Sequence, residues 1–346
     1  MAAPYWEHHA DRQLAAPRGY ARRVPEESTA FPPARLHIVT GKGGTGKTTV
    51  AAALALALAA GGRRTLLVEV EGRQGIAPMF GLDPLPYSER PIAVAPEGGE
   101  VRALAVDAEE ALLDYLEMFY KLGRAGRVLK KLGAIDFATT IAPGMRDVLL
   151  TGKVKEAVTR ADRGRRVYDA VVMDAPPTGR VGRFLNVNSE VAGLAKVGPI
   201  KTQSDGVMAV LRSPMTAIHL VTLLEEMPVQ ETSDAVTELA GIGLPIGVVL
   251  VNAVRGTSLV DAKVTQAELK RGLAAAGLAT DRQTVKGLAD EVADHVRRVG
   301  LEQRLRGELT ELGRPVLDLP FLPEGMDTDG LYELADALRK AGVRAP

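Results

Sequence analysis

The chain contains no cysteine. That absence excludes a disulfide framework, a thiolate zinc site, an iron–sulfur cluster and a cysteine nucleophile. Net charge is missing as well: Lys and Arg number 43, and so do Asp and Glu. No global positive field exists to gather nucleic acid or anionic lipid, so no nucleic-acid partner is expected. Long hydrophobic runs are also lacking. The longest, residues 50–60, is far shorter than the roughly twenty residues that a membrane-spanning helix needs. The first thirty residues hold no apolar core of the kind a secretory signal requires. Together these absences predict a soluble, cytoplasmic protein, at most peripheral to a membrane.

What is present is an ordinary globular composition over 346 residues, 46% hydrophobic and 25% charged, enough to bury a sizeable core. Residues 1–33 are rich in Pro, Ala, Arg and His without periodicity, which predicts a disordered tail. The adjacent His8 and His9 within it are read as inert. Residues 34–346 are expected to form one domain.

That domain begins with a short strand at residues 35–40 (RLHIVT), a Gly-rich turn and an Ala/Leu helix starting at Lys47. Gly61 and Gly62 stop the helix, and TLLVEV at 65–70 is a second strand. Strand, helix and strand in that order make a βαβ unit and so a parallel, buried sheet. Further strands are expected at 101–106, 167–174, 216–223, 245–252 and 314–319. Helices are expected at 231–239, through much of 256–312, and at 331–341. Helical periodicity at about 107–165 and 181–212 predicts helical insertions. The fold class is therefore α/β: a mostly parallel, doubly wound P-loop sheet with an inserted helical subdomain.

Residues Gly41, Lys42, Gly43, Gly44, Thr45, Gly46, Lys47 and Thr48 match G-x-x-x-x-G-K-[ST]. Glycines let the backbone curl until several N–H groups face one concavity, which suits phosphate oxygens. The helix that follows adds its positive N-terminal end. Lys47 is expected to reach the β- and γ-phosphates, and the Thr48 hydroxyl to ligate Mg²⁺. Thr49 follows in the first helical turn and belongs to the same nucleotide-binding set. Asp174 ends the apolar run VVMD, where a carboxylate at a strand's carboxyl end faces the ligand crevice of an open sheet. It is expected to serve Mg²⁺ through water. ATP or ADP with Mg²⁺ is thus the expected ligand.

The string KGGTGKT resembles the deviant Walker A motif of a family that includes ArsA, GET-pathway ATPases, MinD, ParA and the nitrogenase iron protein. The resemblance implies that Lys42 crosses a dimer interface to the partner's phosphates. The loop DAPPTG at 174–179 is similar to the switch II sequence DTAPTG of the ArsA/GET branch. It implies that Gly179 swings its N–H toward the γ-phosphate. The segment Glu69-Val70-Glu71-Gly72-Arg73-Gln74-Gly75 stands where that branch has switch I, usually DPAHN. Glu71 then takes the place of the Asp that orients the attacking water. Glu is one methylene longer, and a shift of ~1 Å can cost on the order of a hundredfold in rate, so slow hydrolysis is expected. Arg180 stands where the family usually has His.

Asn252 resembles the adenine-reading Asn of the family, and Pro320 and Phe321 resemble the loop over the adenine face. The resemblance spans most of residues 35–345 and fits best the bacterial branch labelled anion-transporting ATPase. The chain has one phosphate loop rather than two, and no cysteine for arsenite or for a zinc clasp. Arsenite transport through cysteine ligands and a zinc-bridged dimer are therefore not expected.

The resemblance implies a dimeric ATPase switch, either a homodimer or a heterodimer with a paralogous ATPase. Its cycle would be coupled to a hydrophobic or membrane-protein client, carried on a helical stripe of Leu112, Leu116, Met118 and Phe119. One alternative is a nucleotide-sensing subunit paired with an active paralogue. Another is a MinD- or ParA-like positioning ATPase, although the last helix, LYELADALRK, is short and of mixed charge.

Overall fold

A computed structural model describes residues 31–120, 144–194, 199–256 and 264–346. The expectations for the tail up to residue 30, and the helical signals at 121–143 with their break at Ala142 and Pro143, lie outside the described residues.

The chain opens with β1 (Leu36–Gly41), α1 (Lys47–Ala59) and β2 (Arg64–Glu69), the expected βαβ unit. Then come α2 (Ile76–Met79), β3 (Arg90–Ala95), β4 (Gly99–Ala105), α3 (Ala108–Tyr120) and α4 (Met145–Thr159). A small two-stranded ribbon, β5 (Ala161–Asp162) with β6 (Arg165–Arg166), precedes β7 (Ala170–Asp174). After it run α5 (Thr178–Leu194), α6 (Pro199–Leu211), β8 (Thr216–Thr222), α7 (Glu226–Gly241) and β9 (Ile246–Val254). The last elements are α8 (Gln266–Ala275), α9 (Arg282–Glu311), β10 (Val316–Pro320) and α10 (Thr328–Lys340).

Eight strands form one sheet in the order β10-β9-β8-β1-β7-β2-β4-β3. Every pairing in it is parallel except β3 with β4. Alternation along β7 shows why the sheet needs helices on both faces. Ala170 and Val172 pack into one core and Val171 and Met173 into the other. The first core takes α1 and α10. Helix α1 is buried at every residue from Val50 to Ala59, so its Ala/Leu sequence has no polar stripe. The second core takes Leu149, Leu150 and Val154 of α4, Phe184 and Leu185 of α5, and Val207 of α6. Much of the helical stretch expected as an insertion is thus packed directly on the sheet. Among the described residues no helix is long and apolar enough to cross a membrane.

Three features differ from the sequence reading. Phe31, placed in the tail, is buried and stacks on His37 and His219, with ring centroids 5.3 and 4.9 Å away. Strand β3 was not expected. Its Pro91 and the register shift that follows suit an antiparallel edge, and the sequence lacks clean alternation there. Helix α7 begins at Glu226 rather than 231, because Pro228 falls in the first turn, where its missing N–H costs nothing.

Candidate active site

The carboxyl ends of β1, β2, β7 and β9 converge on one edge of the sheet. Beyond β1 the chain turns through residues 42–46 into α1. Gly41 and Gly46 have φ of 155° and 87°. A Cβ at Gly41 would lie 2.1 Å from the Val221 carbonyl, and one at Gly46 would lie 2.4 Å from Asn252 Nδ2. Gly44 is also left-handed, whereas the exposed Gly43 is not. The loop is tied from inside. Thr45 is buried and its hydroxyl donates to the Lys42 carbonyl at 2.9 Å. Asn252 Nδ2 donates to the Thr45 carbonyl at 2.9 Å. No side chain caps the start of α1, which leaves its first N–H groups for a ligand. Thr49 is half-buried in that first turn.

Lys47 is buried at the head of α1. Burial lowers its pKa, while the charges of Asp174 and then Glu71 oppose that fall. Thr48 donates to Asp174 Oδ2 at 2.7 Å. Asp174 Oδ1 is buried and has no hydrogen-bond partner. Burial pushes the Asp174 carboxyl up to about 6, against the Thr48 hydrogen bond and the Lys47 charge. Glu69 and Glu71 push it the same way as burial.

Glu69 is a residue that sequence reasoning passed over in favour of Glu71. It pairs in register with Asp174 on the neighbouring strand and is 2% exposed. Its Oε1 accepts from the Gly75 N–H at 2.9 Å, and its Oε2 is buried without a partner. The signal was its place as the last residue of a buried strand, where an unpaired charge is costly. Among the described residues, no three His, Asp or Glu side chains are grouped to hold a metal ion by themselves.

Glu71 is held by two cations. Arg180 Nη1 lies 3.2 Å from Oε1 and Arg73 Nε 3.6 Å from Oε2. Lys42 contacts Glu231, with Nζ 2.6 Å from Oε1. The Thr40 hydroxyl donates to the Pro176 carbonyl at 2.7 Å, tying β1 to the loop after Asp174. Gly179 is exposed in the first turn of α5, with nothing near its missing Cβ.

The remaining residues sit toward β9 and β10. Asn252 spends one amide N–H on the loop. Pro320 pairs with Val254 in register, and the Phe321 N–H donates to the Val254 carbonyl at 2.9 Å. The Phe321 ring is 40% exposed, with the Arg255 guanidinium 4.3 Å above it. Sequence reasoning missed Arg255, which lies over one face of that ring.

Known proteins share this arrangement of sequence. Residues 34–212 match the family profile described as anion-transporting ATPase. The ATPase BagA of Mycobacterium tuberculosis is 53% identical over 319 residues, covering 90% of this chain and 94% of BagA. The arsenical pump-driving ATPase of Acidiphilium multivorum is 26% identical over 328 residues, covering 85% of this chain and 53% of that protein. The ATPase ARSA1 of Chlamydomonas reinhardtii is 27% identical over 216 residues, which cover 56% of this chain and 27% of ARSA1. By that profile match and these relatives, the chain belongs to the ArsA family of anion-transporting ATPases and is an ATPase.

Proposed function

We propose that this ATPase uses Mg²⁺ and acts as a dimeric switch, with Lys47, Thr48, Glu71 and Asp174 at the reaction centre. The observation that carries the cation reading is a pair of buried carboxylates at neighbouring strand ends, Glu69 and Asp174, each with one oxygen lacking a partner, with Thr48 donating to Asp174. An oxygen-only donor set suits a hard divalent cation. Thr48 would bind Mg²⁺ directly, and Asp174 and Glu69 would hold its water. Such an ion arrives with the nucleotide, since the protein offers few ligands alone. When bound, Mg²⁺ neutralises charge on the β- and γ-phosphates.

The protein groups do the rest. Lys47 and the N–H groups at the start of α1 bind phosphate oxygens. Glu71 orients the attacking water, and its carboxylate is shared with Arg180 and Arg73. That competition supports slow turnover, and it is the one observation that favours the second reading, a sensing subunit beside a more active paralogue. Asn252, Pro320, Phe321 and Arg255 would hold the adenine. Lys42 turns to Glu231 rather than to its own loop, which supports a role toward a partner's phosphates.

The same reading extends to a client. The loop after Asp174 runs straight into α5, so a change at the phosphates would reach the helices stacked on it. A cavity of about 320 Å³ lies between α3, α4 and α6, lined by Ala111, Val148 and Leu149 but also by Asp114 and Lys153. Leu112 packs against the core. The side chains of Leu116, Met118 and Phe119 lie outside the described residues.

The test is binding of a fluorescent ADP with and without Mg²⁺, in wild type and Asp174→Asn. Wild type should bind at least about tenfold tighter with Mg²⁺, and Asp174→Asn should lose that gain. An equal Mg²⁺ effect in both proteins would remove the cation site from Asp174.

A further inference from the structure

Glu231 lies outside every motif described so far, yet it joins two of them. It stands on α7, between the buried Val229 and Thr232, which fix that turn of the helix against the core. Its Oε1 accepts from Lys42 Nζ at 2.6 Å, and its Oε2 accepts from the Thr178 hydroxyl at 3.0 Å. The Lys42 hydrogen bond, helped by Thr178, holds its carboxyl below the usual range. Lys42 belongs to the phosphate loop and Thr178 to the loop that follows Asp174. One carboxylate therefore bridges the loop that binds phosphate and the loop that senses it.

We propose that Glu231 is a positioning residue, a latch that holds Lys42 beside Thr178 until phosphate draws the lysine away. The proposal rests on the reading of Lys42 as a phosphate-binding lysine. An ammonium group competed for by one carboxylate and by a triphosphate goes to the larger charge. The latch must also be weak enough to open. The Lys42 and Glu231 side chains are 29% and 35% exposed, and so exposed an ion pair shifts an equilibrium only about two- to fivefold. Once Lys42 leaves, Glu231 keeps Thr178 alone, so the phosphate loop is freed from the loop that follows Asp174.

The experiment measures the affinity for ATPγS, and for adenosine as a phosphate-free control, at several protein concentrations. The proteins are wild type, Glu231→Gln, Lys42→Ala and the double variant, each checked for folding by thermal melting. Glu231→Gln keeps an acceptor for Thr178 and loses the ion pair. It should bind ATPγS about two- to fivefold tighter, with adenosine unchanged. Lys42→Ala should weaken ATPγS binding, and adding Glu231→Gln to it should change nothing further. A gain confined to high protein concentration would show that the freed lysine serves a partner chain, and a gain at all concentrations that it serves its own. Both support the latch. No gain in Glu231→Gln while Lys42→Ala weakens binding would overturn the latch alone. Wild-type affinity in Lys42→Ala would overturn both the role of Lys42 and the latch built on it.

Discussion

Two groups of polar side chains around β1 are buried in opposite ways. At its start, Arg35 donates to the carbonyls of Val158 and Tyr168 at 2.8 and 2.7 Å. His37 Nδ1 lies 3.0 Å from His219 Nε2, and Phe31 stacks over both rings. Gly247 makes room, because a Cβ there would come within 2.7 Å of His219 Nδ1. Burial lowers His37 to about 4 and His219 well below its ordinary range, so both rings are neutral at neutral pH. At the carboxyl ends of β7 and β2, Asp174 and Glu69 are acids with an oxygen each left over, and Asp174 is pushed up to about 6. His37 Nε2 is also unpaired, but a neutral ring loses far less than a carboxylate does when desolvated. One end is finished structure. The other leaves two buried carboxylate oxygens without a partner.

The comparison gives the two ends opposite pH dependence. Asp174 has a folded pKa raised from 3.8 to about 6. The folded chain then binds that proton more tightly than the unfolded chain, so stability is lost as pH rises from about 4 to about 6. His37 is depressed from 6.5 to about 4. Its contribution is lost in the other direction, as pH falls through that window.

The largest expected effect comes from Asp174→Asn. Hydrolysis should fall on the order of 10²- to 10³-fold. The nucleotide-free protein should meanwhile become more stable at pH 8, by up to on the order of 3 kcal/mol. That gain should vanish near pH 4, as read by denaturant unfolding at both pH values. A loss of stability at pH 8 would make the strand end ordinary structure like the strand start. Next is Glu71→Gln, which should lower kcat about a hundredfold in a steady-state assay and leave ATPγS affinity within about twofold.

Phe31→Ala probes the other end. It should cost about 3 kcal/mol in denaturant unfolding and leave the nucleotide affinity of the folded protein unchanged. A matching loss of affinity would mean that the two ends are not independent. The smallest effect belongs to Arg180→Ala, which removes one of two cations held on Glu71. It should raise kcat about two- to threefold. A tenfold fall would instead give Arg180 a role of its own.

The strand end was largely legible in sequence, since a glycine pattern dictates backbone curvature and the residues that follow it are fixed by helical geometry. Lys47, Thr48 and the left-handed Gly44 and Gly46 follow from local chemistry. Glu69 was harder, because its significance comes from lateral register with Asp174, 105 positions along the chain by their numbers. The contact of Lys42 with Glu231 spans 189 positions and depends on how α7 settles on the sheet. Phe31 was lost to the composition around it. An isolated Phe among Pro, Glu and Arg gives no periodic signal, and only its stacking on two histidines accounts for its burial. The edge strand β3 was hidden by its half-exposed, irregular pairing.

In the proposed reaction this strand edge hydrolyses ATP with Lys47 on the phosphates and Glu71 on the water. The most direct measurement is steady-state ATP hydrolysis with Mg²⁺, for wild type, Lys47→Ala and Glu71→Ala, each over a range of protein concentrations. The account predicts slow wild-type turnover whose rate rises faster than protein concentration, and loss of it in both variants. Turnover that persists in Lys47→Ala or Glu71→Ala would contradict it.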